Sequence, residues 1–167
     1  MPKKLVIITG PAGVGKSTMV RELFRMMDGC AWLDADWCWM LNPWHSQSVE
    51  QRERLIDSFG QILTTYFRDE HTHTVLFSWV IRDALLFQVI RDMVECDDIR
   101  VLPIVLICDT EEHQRRLVRD RRSEASVNRH EDMHVFKQLG VWTLDTTDLT
   151  PLQTAQDVYR YIQNLDA

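Results

Sequence analysis

Residues 10–18 read Gly-Pro-Ala-Gly-Val-Gly-Lys-Ser-Thr, with the spacing G-x-x-x-x-G-K-[ST]. This is the pattern of a loop that cradles phosphate, made here of Gly10, Pro11, Ala12, Gly13, Val14, Gly15, Lys16, Ser17 and Thr18. The glycines let backbone amides turn inward around an anion. A helix starting at the end of the loop adds partial positive charge. Lys16 can reach the outer phosphates, and the Ser17 hydroxyl can hold Mg²⁺. A carboxylate pair, Asp34 and Asp36, follows the segment Cys30–Asp34. In extended chain, residues two apart point the same way, so both can face one cleft. One would take the proton of an acceptor hydroxyl, and the other would hold Mg²⁺ through water. Asp36, beside Trp37 and Trp39, is read as the base, and Asp34 as the metal-side carboxylate. The plainer alternative is a solvated loop with a helix-capping Asp. Farther on, Arg115, Arg119 and Arg122 fall on one helical face by i, i+4, i+7 spacing. Guanidinium groups there can clamp a transferring phosphate. Glu111, Glu112 and Glu124 leave open an ordinary salt-bridged surface helix.

Other residues admit two readings. Trp32, Trp37, Trp39 and Trp44 crowd around Asn42-Pro43. They form either an aromatic wall for a flat or apolar-faced acceptor or the seal of a small helical region. Arg82, shortly after a strand end, contacts acceptor or phosphate, or is a surface arginine. His71 and His73 are expected in a polar loop. Asp109 follows an apolar run in the manner of a Walker B aspartate. Asp109-Thr-Glu-Glu112 also fits a capping box, and the cap is preferred. His130-Glu-Asp-Met-His134 matches H-E-x-x-H, but no Glu or His follows that could be a third zinc ligand, so a zinc site is not expected.

These groups need a scaffold. The apolar run Leu5–Ile8 predicts a buried parallel strand. Met19/Val20, Leu23/Phe24 and Met27 predict a helix after Lys16. Strands are expected at Cys30–Asp34, Thr74–Ser78, Val101–Cys108 and Gly140–Asp145. A helix is expected over 46–68, with Leu55/Ile56, Phe59, Ile62/Leu63 and Tyr66/Phe67 on one side. Another is expected with Leu85/Leu86, Val89/Ile90 and Met93/Val94 inward. The last repeats Leu152, Ala155, Val158/Tyr159, Ile162 and Leu165. Thr150 is its expected cap, Pro151 its first residue and Gln153 the third of the box.

At 167 residues the chain is expected to be one domain. Hydrophobic content of 45% and charged content of 26% suit a globular protein, and no run is long enough to cross a membrane. A net charge of −6 argues against a general nucleic-acid binder. The start Met1-Pro-Lys-Lys leads directly into the first strand, so no signal peptide is expected. Cys30, Cys38, Cys96 and Cys108 form no C-x-x-C pair and are read as free thiols in the cytoplasm.

The chain resembles the small P-loop kinases of the nucleoside monophosphate kinase, shikimate kinase and chloramphenicol phosphotransferase type. Gly10–Thr18 is similar to their nucleotide loop, and Asp34-Ala-Asp36 to the Asp-x-Asp after their second strand. Arg115–Arg122 looks like their arginine-bearing lid, and Asp145-Thr-Thr-Asp-Leu-Thr-Pro151 like the turn near the adenine. Leu33–Trp39 with Asn42-Pro-Trp44 looks like a group of small bacterial nucleotide-kinase-like proteins. The resemblance implies an α/β, three-layer P-loop NTPase fold with a five-stranded parallel sheet in the order 2-3-1-4-5. Within the single domain, residues 37–70 would be the acceptor-side helical region and residues 110–138 the lid-like region. ATP and Mg²⁺ would be the cofactors. Arg119 and Arg122 would act as lid clamps, with Arg115 or Arg116 on the adenine. The monophosphate kinases have Gly-Phe-Pro-Arg after the third strand, whereas this chain has Ser78-Trp-Val-Ile-Arg82. A phosphate acceptor prefers arginines, whereas an Asp pair suits a hydroxyl that needs a base. The expected activity is therefore phosphoryl transfer to a small-molecule hydroxyl, from a monomer or homodimer. The alternatives are a nucleoside monophosphate kinase and an ATP-binding sensor that acts on a protein.

Overall fold

Leu5, Val6, Ile7 and Ile8 are all fully buried, and their strand is the middle of the sheet. Fully burying one such side chain contributes roughly 1.5–3 kcal/mol. An aliphatic run this dense is stable only where both faces are covered. The computed structural model describes residues 3–40, 48–120 and 133–165. The strands are β1 (Lys3–Thr9), β2 (Cys30–Asp34), β3 (Thr74–Ser78), β4 (Ile99–Ile107) and β5 (Trp142–Asp145). All pairings are parallel, in the order β2-β3-β1-β4-β5. The helices are α1 (Lys16–Met26), α2 (Val49–Arg68), α3 (Leu85–Asp92), α4 (Thr110–Arg119), α5 (Met133–Lys137) and α6 (Pro151–Asn164). A 3₁₀ turn, Ala35–Trp39, follows β2.

Alternation along β1 sends Leu5 and Ile7 to one face, with Phe59, Leu63, Phe67, Phe87, Ile90 and Phe136 of α2, α3 and α5. Val6 and Ile8 go to the other face, with Met19, Val20 and Leu23 of α1 and Ala155, Val158 and Ile162 of α6. The result is three layers, with the expected α/β fold and strand order.

Three expectations need correction. The helix expected from residue 46 starts at Val49, where Ser48 and Gln51 close a reciprocal capping box. In α3 the expected face is only half right, since Leu86 and Ile90 pack inward as expected and Leu85 and Val89 do not. Leu85 and Val89 are 73% and 40% exposed, while Phe87, not among the expected residues, is buried; Val94, just beyond the helix, is buried as expected. The irregular segment after β3 sets where the first turn begins, and with it the buried face. In α6, Leu152 is exposed and Thr154 is buried, its hydroxyl donating to the Thr150 carbonyl. Thr150, Pro151 and Gln153 form the expected capping box.

Candidate active site

The loops that carry chemistry lie beyond the carboxyl ends of the strands, where open parallel sheets place their crevice. The loop after β1 passes very close to its neighbours. A Cβ on Gly10 (φ +147°) would stand 2.3 Å from the Leu106 carbonyl oxygen, and one on Gly13 (φ +84°) 2.3 Å from Leu117 Cδ2. Only glycine allows both the close approach and the left-handed backbone there. Lys16 Nζ donates to the carbonyls of Gly10 and Pro11, each at 2.9 Å. The Ser17 hydroxyl donates to Asp34 Oδ2 at 2.7 Å. Asp34 is buried, and its Oδ1 accepts from the Asp36 amide at 3.0 Å. The capping role and the site role of Asp34 therefore belong to the same carboxylate. Asp36 is exposed, and it lines one pocket with Ala12, Gly13, Gly15, Lys16, Ser17, Thr18, Asp34, Trp79, Val80 and Asp120. The structure thus brings Lys16, Ser17, Asp34 and Asp36 together.

A longer groove of about 330 Å³ runs from Gly13, Val14, Gly15 and Thr18 past Arg116 and Arg119 to Thr146–Pro151 and Thr154. Arg116 is buried. Its Nη1 donates to the Val14 carbonyl at 2.8 Å and to the Thr146 hydroxyl at 2.9 Å, and its Nη2 to the Thr146 carbonyl at 2.6 Å. Its Nε donates to Glu112 Oε1 at 2.8 Å, and that hydrogen bond holds the Glu112 carboxyl below its ordinary value. Arg115 points elsewhere, exposed and paired with Glu112 at 3.3 Å. The arginines on the groove are therefore Arg119, as expected, and Arg116, the alternative to Arg115; Arg115, expected on the same face as Arg119, does not line it. The reason is packing: His113, Arg116 and Leu117 form the buried side of α4. Arg122 lies outside the described residues.

Asp109 caps α4, its Oδ1 accepting from the Glu112 amide at 2.6 Å. The reciprocal half of the expected box is replaced. The Glu112 side chain is held by arginines, and the Asp109 amide donates to the Thr147 hydroxyl at 2.9 Å. Asp145 Oδ1 accepts from the Thr147 amide and hydroxyl, and the hydroxyl bond above all lowers its pKa.

The aromatic cluster is partly in place. Trp37 is 49% exposed, and its ring centroid lies 4.7 Å from that of Trp32, whose Nε1 donates to the Ser78 hydroxyl at 3.1 Å. Trp39 ends the 3₁₀ turn. Asn42, Pro43 and Trp44 lie outside the described residues. Arg82 is exposed, with its guanidinium carbon 5.9 Å from the centroid of the Phe136 ring, and it lines neither cavity. His71 and His73 are exposed in the turn before β3. His134 sits exposed on α5 beside Gln138, and His130 lies outside the described residues.

Residue spacing missed several members of the site. Thr146, buried against Arg116, stands in the Asp145–Pro151 turn, so only its individual role was hidden. Trp79 and Val80 reach the pocket because β3 runs directly beside β1. His113 carries no local signal at all.

The chain covers 96% of itself and 95% of a tunicamycin resistance protein from Deinococcus radiodurans, with a TM-score of 0.64 at 17% identity. It is similar to a sugar kinase from Janibacter sp. HTCC2649, with a TM-score of 0.67, 13% identity and coverage of 97% and 95%. It is also similar to shikimate kinase from Acinetobacter baumannii, with a TM-score of 0.61, 17% identity and coverage of 98% and 94%. At such identities these likenesses speak for the fold, which is that of the small P-loop kinases. No curated protein matches the chain. The AAA domain model matches residues 6–137, from β1 and its glycine loop through α5, and the chain belongs to that family.

Proposed function

We propose that the protein is a P-loop kinase that transfers phosphoryl from ATP to a hydroxyl of a small molecule. The observation that carries this reading is the chain of contacts from Ser17 through Asp34 to Asp36 beside Lys16. The residues fit the nucleotide and its cation. Glycine-lined amides and Lys16 suit phosphate, and a hydroxyl hydrogen-bonded to a buried carboxylate suits Mg²⁺. Mg²⁺, when bound, neutralises charge on the phosphates. Ser17 would hold it directly and Asp34 through water. Asp36, exposed and next to Trp37, would take the acceptor's proton as its oxygen attacks phosphorus. Arg119, at the edge of the groove, would steady the phosphates, and Arg116 would present a flat face beside the base. The names of the similar sugar kinase and shikimate kinase support a hydroxyl acceptor by analogy. The free thiols of Cys30, Cys38, Cys96 and Cys108 support a cytoplasmic setting.

The test is transfer from labelled ATP to a panel of hydroxyl metabolites, nucleosides, nucleotides and antibiotics. Asp36→Asn is nearly isosteric and cannot accept a proton. It should lower transfer by about 10²–10⁴ while ATP affinity changes little. Asp34→Asn should instead raise the Mg²⁺ concentration needed. If only a nucleoside monophosphate is phosphorylated, and both variants keep near-parental rates, the hydroxyl-kinase reading gives way to a monophosphate kinase.

A further inference from the structure

A loop that binds anions through its amides must turn its carbonyls outward, and each outward carbonyl then needs a donor. Here helix α4 supplies two. Arg116 donates to the Val14 carbonyl, as described above. One turn earlier, His113 Nε2 stands 2.8 Å from the Ala12 carbonyl oxygen, although 101 residues separate them in sequence. A carbonyl oxygen only accepts, so Nε2 carries the proton. His113 is 4% exposed, so water does not readily replace this bond. Between the two donors, Leu117 fills the space that a side chain on Gly13 would need. The peptide joining Ala12 to Gly13 is therefore gripped on its carbonyl side. Rotating that peptide would lose the His113 bond and aim the oxygen at the anion.

We propose that His113 is a positioning residue: its Nε2–H holds the Ala12 carbonyl outward and keeps the Gly13 amide facing the phosphates. His113 touches neither nucleotide nor acceptor, and acts only through the loop. The inference rests on the phosphate-binding reading of Gly10–Thr18, but not on the identity of the acceptor. An unpartnered buried polar group costs about 1–3 kcal/mol, which corresponds to a loss of about 5- to 150-fold in affinity if bound phosphate bears it.

The experiment measures Mg²⁺-dependent binding of ATP, tripolyphosphate and adenosine to the parent, His113→Leu, His113→Asn and His113→Gln. Glutamine places an amide donor near the position of Nε2, asparagine keeps the polarity but falls short, and leucine removes the donor. Leucine and asparagine should weaken ATP and tripolyphosphate alike, by about tenfold. Adenosine should bind all four proteins equally, and glutamine should restore the polyphosphates to within about twofold of the parent. If leucine does not fold, the asparagine–glutamine pair decides alone. Equal losses in asparagine and glutamine, parental binding by both, or an equal loss of adenosine would each overturn the proposal. Parental binding of ATP but not of tripolyphosphate would do so too. A parent that binds no polyphosphate overturns the phosphate-loop reading and this inference with it. A parent that binds but phosphorylates nothing overturns only the kinase reading.

Discussion

Lys16 rests on the carbonyls of Gly10 and Pro11 within its own loop. Its charge is thus already at the mouth of the loop, and an arriving phosphate replaces two neutral acceptors with a charged one, a stronger partner. Lys16→Ala should cut ATP-dependent turnover by about 10²-fold or more. The thermal midpoint should move little, because the side chain is only part-buried and no core cluster includes it. Unchanged turnover would sink its assignment. Lys16, Ser17, Asp34 and Asp36 were legible because spacing over a few residues determines where they go. The choice between Arg115 and Arg116 was not. A three-or-four-residue spacing shows which of Arg115, Arg116 and Arg119 share a face, but not which face meets the glycine loop. That depends on His113 and Leu117 packing against residues 101 and 104 positions earlier in the chain.

At the scale of elements, caps and the ends of β2 and β3 were legible, the bounds of β4 (Ile99–Ile107, not Val101–Cys108) and the start of β5 (Trp142, not Gly140) less so, and helix phases only in part. Thr150-Pro-Leu-Gln153 and the runs of β2 and β3 carry their own boundaries. The rotation of α3 does not, because the chain between β3 and Leu85 decides it. Gly60 shows how a tertiary contact can override local preference. In the middle of α2, alanine would gain about 1 kcal/mol of helix propensity. Yet a Cβ there would lie 2.8 Å from Met93 Cβ and 2.9 Å from the Met93 carbonyl oxygen. Overpacking of this kind costs about 1–3 kcal/mol, so the clash should win. Gly60→Ala is expected to lower the urea midpoint, with a net loss of roughly 1 kcal/mol. A more stable variant would mean that α2 and the Met93 segment can separate without strain.

At the scale of the molecule, a chain of net charge −6 must meet an anion with local charge only: inward amides, the start of α1, Lys16 and the arginines of α4. The strand order was legible because the glycine loop places β1 in a known architecture. The hydrogen-bond partners that hold the crevice open were not, since they join segments far apart in the chain. That separation also bears on how the protein is made. The first strand in the chain is the middle one in the sheet, and its second flank, Ile99–Ile107, is translated last of its three. At about 5–20 residues per second, an emerging β1 waits on the order of 5–20 s for that partner. Until Thr74–Ser78 emerges both edges of the run Leu5–Ile8 are bare, and until Ile99–Ile107 follows one edge still is, which is when a chaperone or an aggregate would find it. A fragment ending at residue 98 should therefore show no cooperative unfolding by circular dichroism and should bind a dye specific for exposed apolar surface. If the fragment melts cooperatively, then β3 and the helices α1, α2 and α3 suffice to shelter the strand before its other neighbour exists.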